Sequence, residues 1–163
     1  MNIKSTCMMA TFCLGFTAFI AQPQQPQINL PFKTLAQQSR GEHAQKKDYV
    51  IRAQADWDKL QKQAFAGQLN STNMRDDSTL RKIDFSKQMI IAVFQGQKPS
   101  GGYSIAITKL SRDDKRLEVF VEEKSPGSGC FTTQVITQPY HLIVTEKSDR
   151  KVVFTRRQIN VNC

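Results

Sequence analysis

Hydrophobic residues along this chain fall into three kinds of pattern, and each predicts a different element. Near the N-terminus, Met8 to Ile20 is almost wholly apolar or small and ends at the polar run Gln22-Pro23-Gln24-Gln25-Pro26. Further on, Trp57, Leu60, Ala64 and Phe65 recur mostly at three- and four-residue intervals, which predicts one amphipathic helix over 55–66. From Met89 onward the pattern is that of strands. Met89-Ile90-Ile91-Ala92-Val93-Phe94 is an unbroken apolar run, as expected of a central strand covered on both faces. Tyr103, Ile105 and Ile107 alternate with Ser104, Ala106 and Thr108, and Leu117, Val119 and Val121 with Glu118, Phe120 and Glu122. Arg112-Asp113-Asp114-Lys115 between them suits a hairpin turn. Phe131, Thr133 and Val135 alternate in the same way, Pro139 interrupts, and Tyr140 to Thr145 resumes. Ser148-Asp149-Arg150 then turns the chain into Val152-Val153-Phe154. The fold class expected is α+β: a small, sandwich-like, mainly antiparallel sheet with one N-terminal amphipathic helix.

The first apolar run decides the compartment. Lys4 precedes it, it is too short to cross a bilayer, and Ala21 stands before the polar break. Residues 1–21 therefore read as a secretory signal peptide, and the chain as secreted or resident in the periplasm or cell envelope. Lipid attachment at Cys13 is the lesser alternative, because Phe12 is large where a lipobox has a small residue. Residues 22–47, rich in Gln and Pro, read as a flexible leader from which Ile28, Leu30, Phe32 and Leu35 could dock. The folded domain is then 48–163, with Tyr49-Val50-Ile51 as a short strand at its start.

Loss of the signal removes Cys7 and Cys13 and leaves Cys130 and Cys163. An even number of cysteines in an oxidising compartment favours a disulfide between them. Such a bridge stabilises by roughly 3–4 kcal/mol through the entropy of the unfolded chain.

The chain carries a formal net charge of +9, spread in pairs such as Lys46-Lys47, Arg81-Lys82 and Arg156-Arg157. There is no basic stripe interleaved with aromatics, so a nucleic-acid partner is not expected. Candidate chemistry is sparse. The chain has two histidines, His43 and His141, and no G-x-S-x-G elbow accompanies either. Glu122 and Glu123 fall on opposite faces of one strand and cannot flank one bond. Asp76-Asp77 and Asp113-Asp114 lie in turn-rich segments. No catalytic residue, metal site or cofactor is expected.

Three loop segments stand out instead: Lys98-Pro99-Ser100-Gly101-Gly102-Tyr103, Ser125-Pro126-Gly127-Ser128-Gly129-Cys130 and Thr137-Gln138-Pro139-Tyr140. Pro and Gly make turns on structural grounds alone. The functional reading is a rim of shaped loops in which Pro99, Ser100, Gly101, Gly102, Tyr103, Pro139 and Tyr140 meet a partner, since tyrosine is favoured in binding surfaces.

In this order the segments resemble the PrcB C-terminal domain family from about Val50 to Val144. The residues carrying the resemblance begin with Ile51-Arg52, Ala55-Asp56-Trp57 and Asp84-Phe85-Ser86-Lys87. They continue through Met89–Phe94, Gly96, Pro99–Ile105, Pro126-Gly127, Cys130, Thr133 and Thr137–His141. The resemblance implies a non-enzymatic accessory subunit that associates with and stabilises an extracytoplasmic protease complex, so the partner expected is a protein, a protease above all. A second comparison is with chagasin-like cysteine-protease inhibitors, which insert three loops into a protease cleft. Pro99–Tyr103, Gly127–Cys130 and Pro139-Tyr140 look similar to those loops. Here Cys130 replaces a glycine and Gln138 an arginine, and the gap between the second and third loops is short.

Overall fold

The computed structural model describes residues 27–65 and 83–163. The expected signal peptide, Cys13 and the Asp76-Asp77 loop lie outside the described residues. Within them the chain is mainly antiparallel β with one short helix. The elements in order are β1 (Ile28–Leu30), β2 (Phe32–Gln38), β3 (Lys46–Ile51), α1 (Gln54–Ala64), β4 (Gln88–Gln95), β5 (Ser104–Arg112), β6 (Arg116–Pro126), β7 (Tyr140–Glu146) and β8 (Lys151–Val161).

Two four-stranded sheets form, one ordered β1-β5-β6-β8 and the other β2-β7-β4-β3. They face each other across a core of Met89, Ile91, Val93, Ile105, Ile107, Leu110, Leu117, Val119, Val121 and Ile143. The helix lies on the opposite face of the second sheet and packs Trp57, Leu60 and Ala64 against Ile90, Ala92, Phe94, Tyr140, Leu142 and Val144. The unbroken apolar run of β4 follows from this layering. Side chains alternate along a strand, so Met89, Ile91 and Val93 fill one core while Ile90, Ala92 and Phe94 fill the other. Burying a side chain of this size contributes about 1.5–3 kcal/mol.

Four features differ from the sequence reading. Residues 27–47 are not a separate leader. Leu30 and Leu35 are buried in different cores, and Pro31 passes the chain from one sheet to the other, where β1 pairs with β5 and β2 with β7. Two further strands, β1 and β2, precede the expected one at Tyr49–Ile51, so the helix follows three strands. The pairing of β6 with β8 is parallel, from Arg116↔Lys151 to Pro126↔Val161. Lastly, 131–135 forms no strand: Phe131 and Val135 are exposed, and the segment is a loop. Its backbone bonds run to the 98–101 loop rather than to a sheet, and β-propensity yields to that context.

The expected disulfide joins Cys130 to Cys163, with Cα atoms 5.1 Å apart. The expected turn at Asp113 is also present. Its carboxylate accepts hydrogen bonds from the Lys115 and Arg116 amides, each at 2.8 Å.

Candidate functional site

Strand directions carry every proline- and glycine-rich loop to one end of the sandwich. β4 ends there at Gln95, β6 at Pro126 and β8 at Val161, while β5 and β7 begin there. The segment between β2 and β3 shares this end. The opposite end carries the Asp113 hairpin and the turn at Ser148, tied by a hydrogen bond from Arg150 Nε to the Asp113 carbonyl at 2.8 Å.

Backbone hydrogen bonds zip the loops together. Lys98 and Thr137 exchange amide–carbonyl bonds of 2.8 and 3.0 Å, and the Gly101 amide donates to the Thr133 carbonyl at 2.9 Å. The Thr137 hydroxyl donates to the Ser100 carbonyl at 2.7 Å. Close approach explains the paired glycines. A Cβ on Gly101 would lie 2.5 Å from Thr133 Oγ1, and Gly102 has φ +86°, a region that favours glycine. On the other flank the Gly127 amide donates to the Val161 carbonyl at 2.9 Å, beside the disulfide.

The expected site residues divide sharply. Pro99 and Gly102 are exposed; Ser100, Gly101 and Tyr103 are half-buried at the surface, with Lys98 Nζ 5.6 Å from the Tyr103 ring centroid. Pro139 and Tyr140, by contrast, are buried. Tyr140 has no exposed surface; its ring lies 5.1 Å from Phe65 and 5.9 Å from Phe94 between centroids. Burial pushes its hydroxyl pKa up to about 12. Tyr140 faces the helix-side core because it occupies the same face of β7 as Leu142 and Val144. Neither residue is presented to a partner, and the inhibitor comparison loses its third loop.

Sequence reasoning missed the most exposed part of this end. Phe131 is fully exposed, Ile136 is 59% exposed and Val135 46%, all on the loop held by Thr133 and Thr137. The signal available was an aromatic immediately after the disulfide cysteine, but it was absorbed into an alternating strand pattern.

His141 is engaged in structure. It is 3% exposed, its Nδ1 accepts from the Ile107 amide at 2.8 Å, and its Nε2 lies 2.9 Å from Thr34 Oγ1. Accepting at Nδ1 leaves the proton on Nε2, which donates to Thr34 and cannot serve that hydroxyl as a base. The Ile107 contact sits where the β5–β6 register shifts, so the imidazole satisfies an amide that the ladder there does not. Burial lowers its pKa from 6.5 to about 4. The unfolded chain takes up a proton near pH 6.5 and the folded chain resists until near pH 4, so stability falls as pH drops through that window. The expected loss is up to about 3 kcal/mol. Urea midpoints at neutral and acid pH test this: His141→Asn should lose less stability on acidification, and an unchanged pH dependence would contradict it. His43 is likewise occupied, bonding the Gln45 carbonyl through Nδ1 at 2.8 Å and accepting from Tyr49 through Nε2 at 2.7 Å.

Between the sheets, beside β3 and β8, lies an ionic cluster. Glu123, 2% exposed, accepts from Lys46 Nζ at 2.8 Å, Arg156 Nε at 2.9 Å and Gln158 Nε2 at 2.8 Å. Burial opposes its ionisation, but the hydrogen bonds from Lys46 and Gln158 and the nearby cations outweigh that, holding its pKa below the usual value. Arg156 also binds Asp48 across the sandwich at 2.5 Å, although burial still raises the Asp48 pKa. Every carboxylate oxygen of Glu123 is thus occupied, and the cluster ties the two sheets together. Glu122 pairs outward toward Arg157, confirming that the neighbouring carboxylates point to opposite faces. Among the described residues no group of three metal-ligating side chains gathers, and no helix is long and apolar enough to cross a membrane.

Comparison with known families covers the heart of this arrangement. Residues 89–146 match the PrcB C-terminal family. The PrcB C-terminal match runs from β4 to the end of β7 and includes both the Pro99–Tyr103 loop and the loop bearing Phe131. It is narrower than the resemblance read from sequence, leaving out Ile51-Arg52, the helix and Asp84–Lys87. No curated protein and no solved structure matches the chain.

Proposed function

We propose that the chain is a non-enzymatic binding module that docks on another protein through the loop-bearing end of its sandwich, as an accessory subunit of an extracytoplasmic protease complex. The observation that carries this reading is the exposed trio Phe131, Val135 and Ile136 on a loop fixed by backbone bonds to Gly101 and Lys98. Exposed apolar clusters on braced loops are characteristic of protein-binding surfaces, where aromatic anchors dominate the energy. Bracing matters because little conformational entropy remains to be lost on association. The PrcB C-terminal match supports a role beside a protease rather than as one. In both histidines the ring nitrogens are committed to hydrogen bonds, which supports the non-enzymatic reading. The Cys130–Cys163 bridge and the N-terminal apolar run support an oxidising, extracytoplasmic setting.

Affinity capture from envelope and culture fluid tests the reading. Wild type should enrich a protease, and Phe131→Ser with Ile136→Ser should recover it at least about tenfold less, without a change in melting temperature. Equal recovery by both proteins, or no protease at all, would overturn it. The recovered protease should keep its turnover and survive longer with the module present; abolished turnover would point to inhibition.

A further inference from the structure

A β-sandwich has four edge strands, and three of those here are blunted. β1 has 3 residues, β2 carries a register shift between Thr34 and Ala36, and β3 opens with Lys46-Lys47-Asp48 and has 6 residues. These are standard devices against unwanted strand pairing. The fourth edge, β8, is different. It runs for 11 residues, contains no proline or glycine, and pairs with β6 without a register shift along its whole length.

The alternation of β8 is fixed at its end, where the Val161 carbonyl accepts from the Gly127 amide. Odd-numbered residues from Lys151 to Val161 therefore turn their N–H and C=O toward β6. Val152, Phe154, Arg156, Gln158 and Asn160 turn theirs to the outer edge, where no strand pairs with them among the described residues. The side chains follow the same alternation. Val152 and Phe154 reach the inter-sheet core but stay half-buried, because the core is open on that side. A strand laid against β8 would cover them.

We infer that β8 is a strand-addition site for an extended, acidic segment of the protein partner. This inference rests on the proposed function, in which the partner is a protein, and names a second contact with it. The charges select the occupant. Lys151 and Arg157 are exposed on the outer face of β8, and Arg157 stays 78% exposed although Glu122 lies 4.0 Å away. Arg156 is already held by Glu123 and Asp48, so the exposed cations at 151 and 157 decide the pairing. Self-pairing of two copies centred on Phe154 would set Arg157 against Lys151 twice. Like charges directly opposed destabilise a strand pair, whereas carboxylates opposite the same positions stabilise it. The added strand thus carries acidic side chains outward and aliphatic ones over Val152 and Phe154. The disulfide holds the far end of β8 against the turn at Gly127, so the edge is presented already straight. Backbone pairing of this kind supplies affinity, and alternate side chains supply selectivity.

Residue-resolved amide exchange on the folded protein tests the inference, with synthetic peptides of alternating valine and glutamate or valine and lysine as probes. In the protein alone, the amides of Phe154, Arg156 and Gln158 should exchange fast and those of Thr155 and Arg157 slowly. The glutamate peptide should slow the first set by roughly tenfold or more, and the lysine peptide should leave it unchanged. Gln158→Pro removes one outward amide and no backbone bond to β6, and Gln158→Ala controls for the side-chain bond to Glu123 that is lost with it. Gln158→Pro should abolish the slowing at Phe154 and Arg156 while Thr155 and Arg157 stay protected. No slowing by the glutamate peptide, or equal slowing by both peptides, would overturn the inference. Slow outward amides in the protein alone would do the same, since another segment or a second copy would then cover the edge. Phe131→Ser should leave the peptide effect intact, so failure at β8 is distinguishable from failure of the loop-end reading.

Discussion

Tyr140→Ala is expected to destabilise the domain by about 3–5 kcal/mol, the cost of deleting a fully buried aromatic ring. The ring stands between Phe65 and Phe94 and closes the helix-side core at the loop-bearing end. Nothing fills its place, because the adjacent backbone at Gly41 is already so close that a Cβ there would lie 2.9 Å from the ring. Domains of this size are stable by only about 5–15 kcal/mol, so the variant should sit close to its unfolding threshold. Tyr140→Phe keeps the ring and should cost far less. Urea unfolding of both variants measures the difference. If Tyr140→Ala kept wild-type stability yet lost partner binding, the tyrosine would have to be a contact residue and the burial described here would be wrong.

The second large effect concerns the disulfide. Cys130 and Cys163 are 33 residues apart in sequence, and replacing both with serine should cost roughly 3–4 kcal/mol in the chain-entropy model. The consequence is also local. Among the described residues β8 is an edge strand pairing only with β6, and its last residues are held by the Gly127–Val161 hydrogen bond and the bridge. Without the bridge, the end of β8 and the loop after Gly127 should open first, including the segment that carries Phe131. Denaturant midpoints and amide exchange at Ile159 and Val161 report the two effects separately. A double serine variant with an unchanged midpoint and unchanged exchange would show that the bridge is dispensable for both.

The sequence made strands legible where burial is one-sided or complete. β4 reads as twice-covered because all six residues from Met89 to Phe94 are apolar, and both cores use them. β5 and β6 read from simple alternation and the Asp113 turn. What stayed hidden depends on contacts between distant segments. Ile28 to Leu35 looks like a sparse apolar leader, since only Leu30 and Leu35 are buried among polar neighbours, and it is the open edges of β5 and β7 that recruit it. Tyr140 and Tyr103 are both tyrosines beside turn residues, and local composition cannot tell them apart. Their burial is set by which face of β7 meets the helix and by the projection of the Gly101-Gly102 turn. The same limit hid Phe131. Its alternation with Thr133 and Val135 is that of a strand, but the segment bonds instead to the 98–101 loop through Thr133 and Thr137. The loops themselves were found, and the sheets do bring them to one end.

Site-specific photocrosslinking tests the central claim most directly. A photoreactive residue would replace Phe131 at the loop-bearing end, and in a second protein Asp149, exposed at the opposite end. Irradiation in the native envelope or culture fluid should give a protease adduct from position 131 and none from position 149. Adducts of equal yield from both positions, or none from position 131, would contradict the account.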